Sequence, residues 1–342
     1  GLLGGKTFQA GRYTFSTRSP YRANSQLLPS GLLGPVKIST MNEAKNVASG
    51  YYSEFSHEGF YLKDYFVYRS PIDQVYHLYY NIGNAGPKQH WRQAFNEKQF
   101  GHATSEDLRT WEIHDTILPV VSDSWESDVV SAPFVVRHDD KFFMAYTGFG
   151  PGANQRMGIA VSDDLFNWER VPENPVAVGP EWTSWQERGW ADYRDPGLLK
   201  WKDQWIAFNT VKKGRKNAVA ISVSDNLIDW EHLPEEKAVI ANWGNPESAL
   251  AFERNGKVYL IASQPWQGNQ MWVTDDPLAG EWKTIPFNFP QGDWSGWEYI
   301  TAPDGQELLS AFLWKKNGNI IRFWKLEWAG GKPFLVKGTS EK

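Results

Sequence analysis

SEDLRTW, residues 105–111, returns as SDDLFNW at 162–168 and as SDNLIDW at 224–230, with a looser copy, TDDPLAGEW, at 274–282. The tryptophans that close the copies stand 57, 62 and 52 residues apart. Self-similarity at a period near 50 is the mark of a repeat architecture. Ser, Asp and Asn suit a tight turn because their short side chains bond nearby backbone N–H groups, and the Trp that follows can plug a neighbouring sheet.

Ahead of each copy lies a hairpin pattern, two β-branched and aromatic runs around a polar turn. These are YFVYRSPIDQVYHLYYNIG (65–83), APFVVRHDDKFFMAYTG (132–148), GLLKWKDQWIAFNTV (197–211) and SALAFERNGKVYLIAS (248–263). A third run, GHATS, RMGIAVS, AVAISVS or QMWVT, leads into each turn, and a fourth follows each Trp. Four strands per unit is a propeller blade. The tail from Trp294 supplies a fifth set, GWEYITAP, ELLSAFLWK, NIIRFWKLEW and KPFLVK. The expectation is an all-β, five-bladed β-propeller with four antiparallel strands per blade. Residues 1–50 are read as an N-terminal strap closing the last blade, with its strand within 36–39 or 48–55, and residues 51–342 as the propeller.

The chain has 342 residues, enough to bury a large core without cross-links, and it has no cysteine. Disulfides and thiolate metal sites are thereby excluded. A net charge of −5 with no long block of one sign argues against nucleic acid and anionic membrane as partners. No apolar run reaches the ~18 residues of a transmembrane helix. The first residues do not read as an intact signal peptide; a leader removed earlier would make the protein secreted or periplasmic. Nineteen tryptophans, beside 14 tyrosines and 19 phenylalanines, fit either a core of packed strands or a cleft that stacks on sugar rings.

Acidic residues recur where the innermost strands begin. Asp64 lies 12 residues before Tyr76, Asp128 14 before Phe142, Asp195 10 before Trp205 and Glu247 12 before Tyr259. Radial repetition would bring four carboxylates to one end of the axis. Crowded like charges oppose each other's ionisation, so such a cluster is costly for stability alone. Its common use is glycosidic bond cleavage, in which one carboxyl protonates the leaving oxygen and another attacks or activates water. As turn residues the same acids would need no such use.

The residues around these acids resemble the five-bladed propeller glycoside hydrolases of families 32, 68, 43 and 117, and family 32 most closely. Lys63-Asp64, followed by YHLYY (76–80), is similar to that family's Asn-Asp-Pro nucleophile motif and its Tyr-His-Leu-Phe-Tyr strand. FGHATSEDLRTW (100–111) looks like its Trp-Gly-His-Ala segment, and YRDP (193–196) its Arg-Asp-Pro motif. The resemblance implies Asp64 as nucleophile, or as base in an inverting enzyme. It implies Glu247 as general acid, Asp195 as stabiliser of the transition state, and Arg194 as the group orienting the carboxylates. The chain departs from the pattern in having Tyr-Phe after Asp64 and Ser-Ala after Glu247. It also ends before the β-sandwich that usually follows the family 32 propeller. No histidine lies beyond His232, so a late-histidine axial metal, as in some family 43 members, is not expected, nor is any cofactor.

The candidate substrate-binding residues are Arg194, Asp128, Trp125, Trp190 and His57. Trp182, Trp185, Trp243 and Trp297 are further candidate sugar platforms, and the QHWR loop (89–92) offers Arg92. The expected partner is a carbohydrate and the expected reaction is hydrolysis of a furanoside, fructofuranosyl or arabinofuranosyl, in an oligo- or polysaccharide. Two alternatives stay open, a non-catalytic sugar-binding propeller and a transglycosylase on the same scaffold. A phosphorolytic enzyme is disfavoured, because no cluster of basic residues stands out for phosphate.

Overall fold

The structure, a computed structural model, describes residues 51–84, 96–152, 154–185, 192–239, 244–264, 268–315 and 319–336. It opens with the short strand β1 (Ser53–Phe55). Blade one is β2 (Phe60–Arg69), β3 (Tyr76–Asn84), β4 (Phe100–Ser105) and β5 (Glu112–Ile113). Blade two is β6 (Val129–His138), β7 (Lys141–Phe149), β8 (Arg156–Ser162) and β9 (Glu169–Arg170). Blade three is β10 (Tyr193–Trp201), β11 (Gln204–Lys213), β12 (Lys216–Ser224) and β13 (Glu231–His232). Blade four is β14 (Glu247–Arg254), β15 (Lys257–Ser263), β16 (Gln270–Thr274) and β17 (Lys283–Ile285). Blade five is β18 (Trp294–Thr301), β19 (Glu307–Leu313) and β20 (Ile320–Ala329), with β1 and β21 (Lys332–Leu335) both paired to β20. The innermost strands β2, β6, β10, β14 and β18 pack each against the next, and β18 returns to β2, so they ring the axis.

The five-bladed, four-stranded reading holds, and the fourth place in blade five is shared. β1 lies on Ile321–Phe323 and β21 on Leu326–Ala329. The closing strand falls in the second of the two expected windows; the strap of residues 1–50 lies outside the described residues. No helix among the described residues is long and apolar enough to cross a membrane.

The repeated turn forms as read, and its leucine is packed as well as its tryptophan. Ser105 Oγ accepts from the N–H groups of Asp107 and Leu108, and Asp107 Oδ1 accepts from those of Arg109 and Thr110. The leucine is driven to positive φ, 60° at Leu108 and 67° at Leu165 and Leu227. The leucine is fully buried in all three copies, and the tryptophan packs on the neighbouring blade, Trp111 on Phe323 and Trp168 on Tyr79. The tryptophan is only half-buried, and at Trp168 and Trp230 its indole N–H caps the leucine carbonyl, at 3.3 and 3.0 Å.

Each innermost strand carries a β-bulge at one register: Lys63/Tyr65, Ser131/Phe134, Arg194/Gly197, Glu247/Leu250 and Ser295/Glu298. The bulged residues Asp64, Ala132, Asp195, Ser248 and Gly296 all have positive φ, between 39° and 63°. Bulges break pairing and re-aim side chains. Four of these five positions are held by the preceding blade. The N–H of Ala132 donates to Asn81 Oδ1, that of Asp195 to Thr147 Oγ1, that of Ser248 to Thr210 Oγ1 and that of Gly296 to Ser263 Oγ, at 2.8–3.0 Å. The equivalent position ahead of Asp64 is Phe312, which carries no acceptor.

Candidate active site

The bulges decide which acids meet. The cavity at the axis is lined by Asp64, Asp195, Ser248 and Glu298 together with Ala132, Phe134 and Gly197 among others. Gly197 is required there, since a Cβ would come within 2.2 Å of the Ala249 carbonyl oxygen of the next blade. Asp64 and Asp195 occupy the same bulge position in blades one and three. Glu247 stands one residue earlier, level with Lys63, Ser131, Arg194 and Ser295.

Arg194 ties three carboxylates together. Its NH1 meets Asp192 Oδ1 at 2.8 Å, its Nε Asp195 Oδ2 at 3.2 Å and its NH2 Glu247 Oε2 at 2.6 Å. Asp195 Oδ2 also accepts from Thr210 Oγ1 and Ser248 Oγ, each at 3.2 Å. Burial pushes the Asp195 carboxyl up to about 6; Arg194 pulls against this, while Asp64 and Glu247 push with it. Asp64 Oδ2 accepts from Asn81 Nδ2 and from Lys63 Nζ, both at 3.2 Å. Among the described residues, Asp64 Oδ1, Asp195 Oδ1 and Glu247 Oε1 have no hydrogen-bond partner. Each of the three acids therefore has one oxygen fixed by the protein and one left over.

The remaining sequence candidates lie elsewhere. Asp128 does not share the register of the bulged acids. It stands four residues before Ala132, ahead of β6, and its carbonyl accepts from Lys98 Nζ. Trp125 is half-buried over blade two, stacked on Tyr146 and closing the space above Gly148 and Gly158. His57 Nδ1 bonds Tyr80 Oη at 2.8 Å and its ring packs on Phe60. Trp182 and Trp185 donate their indole N–H groups to the carbonyls of Leu233 and Gln155. Trp297 is fully buried against Phe289 and Trp324. Trp190, Trp243 and the QHWR loop lie outside the described residues.

Several site residues were not found by sequence reasoning. Glu97 is almost fully buried and accepts from Lys63, Asn81 and Tyr61. Asp192 orients Arg194, and Thr147 and Thr210 hold the bulges. A signal for the last group was present but mixed: Asn81, Thr147, Thr210 and Ser263 are polar residues at one position of the second strands, but β3 and β11 carry other polar residues, among them His77 and Asn209. Glu97 sits outside the repeat and carried no such signal.

The sequence model of the glycosyl hydrolases family 32 N-terminal domain matches residues 66–245, a stretch that holds Arg194 and Asp195 and stops just short of Asp64 and Glu247 at its two ends. A fructan β-fructosidase from Streptococcus mutans is 24% identical over 261 residues, covering 70% of this chain and 16% of that protein. A 1,2-β-oligomannan phosphorylase from Thermoanaerobacter sp. is 26% identical over 182 residues, covering 49% of this chain and 52% of that one. The chain thus spans about a sixth and about half of these two relatives. The fructan 1-exohydrolase IIa of Cichorium intybus shares the fold, with a TM-score of 0.66 at 14% identity over 86% of this chain and 60% of that one. The match over more than half of the chain, on a propeller that brings Asp64 and Asp195 to its axial cavity with Glu247 beside them on Arg194, places the protein among the glycosyl hydrolases of family 32.

Proposed function

We propose that this chain is a retaining glycoside hydrolase that cleaves fructofuranosyl linkages in an oligo- or polysaccharide. The observation that carries the reading is the pairing of one fixed and one unbonded oxygen on Asp64, Asp195 and Glu247 around a shared arginine. A fixed oxygen orients the carboxyl, and the other is then available to the substrate. The family, and the fructan-cleaving names of its relatives, favour a fructofuranosyl over an arabinofuranosyl substrate.

In this reading Asp64 Oδ1 attacks the anomeric carbon while Glu247 Oε1 delivers its proton to the departing glycosidic oxygen. The glycosidic C–O bond breaks and a glycosyl ester of Asp64 forms. Water then gives its proton to Glu247 and its oxygen to the anomeric carbon, releasing Asp64. Asp195 binds ring hydroxyls through Oδ1, and its negative charge opposes the positive charge that develops on the ring. Arg194 holds Glu247 and Asp195 at a set separation throughout.

Phosphorolysis is the rival that the oligomannan phosphorylase likeness brings in. It needs cations open to phosphate. The two cations beside the described acids, Lys63 and Arg194, are each already bound to two or more carboxylates.

The test is turnover of sucrose, inulin, levan, aryl arabinofuranosides and β-1,2-mannobiose, with and without inorganic phosphate. Asp64→Asn and Glu247→Gln serve as controls. Fructose release with retained anomeric configuration, lowered about 10³-fold or more in Asp64→Asn, is expected. Full activity in both variants would overturn the assignment, and phosphate-dependent turnover would replace hydrolysis with phosphorolysis.

A further inference from the structure

Among the described residues, Asp64 is the one bulged residue whose backbone N–H is not anchored by a polar side chain of the preceding blade. In blades two to five the bulge N–H is anchored by Asn81, Thr147, Thr210 or Ser263. At the junction of blades five and one the equivalent residue is Phe312, whose ring packs within 3.0 Å of a Cβ placed on Gly296. Something else must fix the Asp64 carboxyl, because a bulged residue at a φ of 39° is not set by its own backbone preference.

That role falls to a buried hub. Both donors to Asp64 Oδ2 are themselves bound to Glu97. Lys63 Nζ lies 3.2 Å from Glu97 Oε1, and Asn81 Nδ2 lies 3.0 Å from Glu97 Oε2. Tyr61 Oη adds a third bond, to Oε1, at 3.2 Å. Glu97 is 1% exposed, so it reaches no substrate and acts only through its partners. Its own backbone is pinned as well, since its carbonyl accepts from the N–H of Val130 in β6. Lys63, like Tyr65, is a position at which this chain departs from the family's Asn-Asp-Pro pattern. A lysine there brings a partly buried cation, which Asp64 shares with a second anion, Glu97.

We propose that Glu97 is a positioning residue for Asp64: by holding Lys63 and Asn81 together it fixes Asp64 Oδ2 and leaves Oδ1 as the oxygen presented at the axis. The proposal rests on the reading of Asp64 as the nucleophile. Among the described residues, the titratable groups facing Glu97 are Lys63, Asp64 and Tyr61 of β2; β3 presents the neutral Asn81, and β6 meets it with backbone. Burial pushes the Glu97 carboxyl up to about 7, with Lys63 pulling it down and Asp64 pushing it up. Above that pH the carboxylate shares Lys63 with Asp64. Below it the neutral acid releases Lys63 to Asp64 alone, so the hub loosens as pH falls.

The test compares the wild type with Glu97→Gln, Glu97→Asp and Asp64→Asn on whichever fructoside the wild type turns over. Glu97→Gln keeps the shape but turns an N–H toward Lys63 or Asn81. It is expected to lower kcat about 10- to 100-fold with KM within about threefold, and to remove an ionisation near pH 7 from the kcat profile. Glu97→Asp should restore part of the rate. Concentrations of folded protein, taken from calorimetry and near-ultraviolet circular dichroism, normalise every rate, so that lost folding is not read as lost positioning. If Asp64→Asn is inactive but Glu97→Gln keeps the wild-type kcat and pH profile, the positioning role is overturned and the nucleophile stands. If Asp64→Asn is active, or the wild type turns over none of the sugars, the reading beneath it falls.

Discussion

Glu298 stands level with Phe66, Phe134, Gly197 and Leu250 in the other four blades, an acid in a layer that is otherwise apolar or bare. It lines the axial cavity, is 7% exposed and has no hydrogen-bond partner among the described residues. Burial pushes its carboxyl well above the usual range. A folded-state value above the unfolded one means that the stability it contributes is complete below about pH 4.5, the unfolded value. That stability is lost as pH rises from there toward the folded value. Glu298→Gln removes the titration, so its melting temperature should exceed that of the wild type by more at pH 8 than at pH 5, as calorimetry at the two pH values would show. An equal difference at both would mean that the carboxyl meets a compensating charge. The signal for Glu298 was weak in the sequence, because GWEYITAP reads as an ordinary strand. Asp64, Asp195 and Glu247 were legible because a charge at the start of an apolar run recurs from blade to blade, where a turn residue would explain each one alone but less readily the set.

The bulge and its anchor are features of strand pairs, and here the sequence misled in a definite way. Counting back from the second strand put Asp128 beside Asp64. The count ignored the hairpin connections: β2 and β3 are joined by residues 70–75, but blades two, three and four use only 139–140, 202–203 and 255–256. Blades two and three share a two-residue connection, so Asp128 at 14 and Asp195 at 10 could not share a register, and the true counterpart of Asp64 in blade two is Ala132, 10 before Phe142. The turn motif was placed correctly and its Trp does pack on the neighbouring blade, but the buried Leu beside it went unnoticed, since only the positive φ reveals it. The anchors can be tested at Thr210, which accepts from the Ser248 N–H and donates to Asp195 Oδ2. Thr210→Val keeps the volume and leaves a buried N–H unpaired. It should cost about 1–3 kcal/mol in urea unfolding and lower kcat through Asp195. A variant with wild-type stability would show that the bulge holds itself.

Closure of the ring is where the ends of the chain and the site depend on each other. β1 belongs by pairing to blade five, and Glu54 binds Arg322 of β20 through Nε at 2.6 Å. Its next residue, Phe55, packs instead on blade one, edge-on to Tyr80 at 5.5 Å and to Trp111 at 5.4 Å. Ser53 Oγ meanwhile donates to the carbonyl of Leu108 in the first repeated turn. Three consecutive residues thus join the last blade to the first, on the side of the ring where the Asp64 bulge lacks a polar anchor. Tyr65 Oη to Ser310 Oγ at 2.6 Å and Asn319 Nδ2 to the Leu62 carbonyl at 2.7 Å complete that junction, on either side of Asp64 in sequence. Five blades were legible from the period, but this division of labour was not, because β1 is only three residues long and has no hydrophobic pattern of its own. If the junction holds both the fold and the nucleophile, Phe55→Ala should remove about 3–5 kcal/mol of stability. At temperatures where the variant remains folded it should also reduce kcat. Denaturant unfolding followed by tryptophan fluorescence, alongside initial rates per folded molecule, separates the two effects. Loss of stability with an unchanged rate would assign β1 to closure alone and leave Asp64 held by Lys63 and Asn81 without help from the ring.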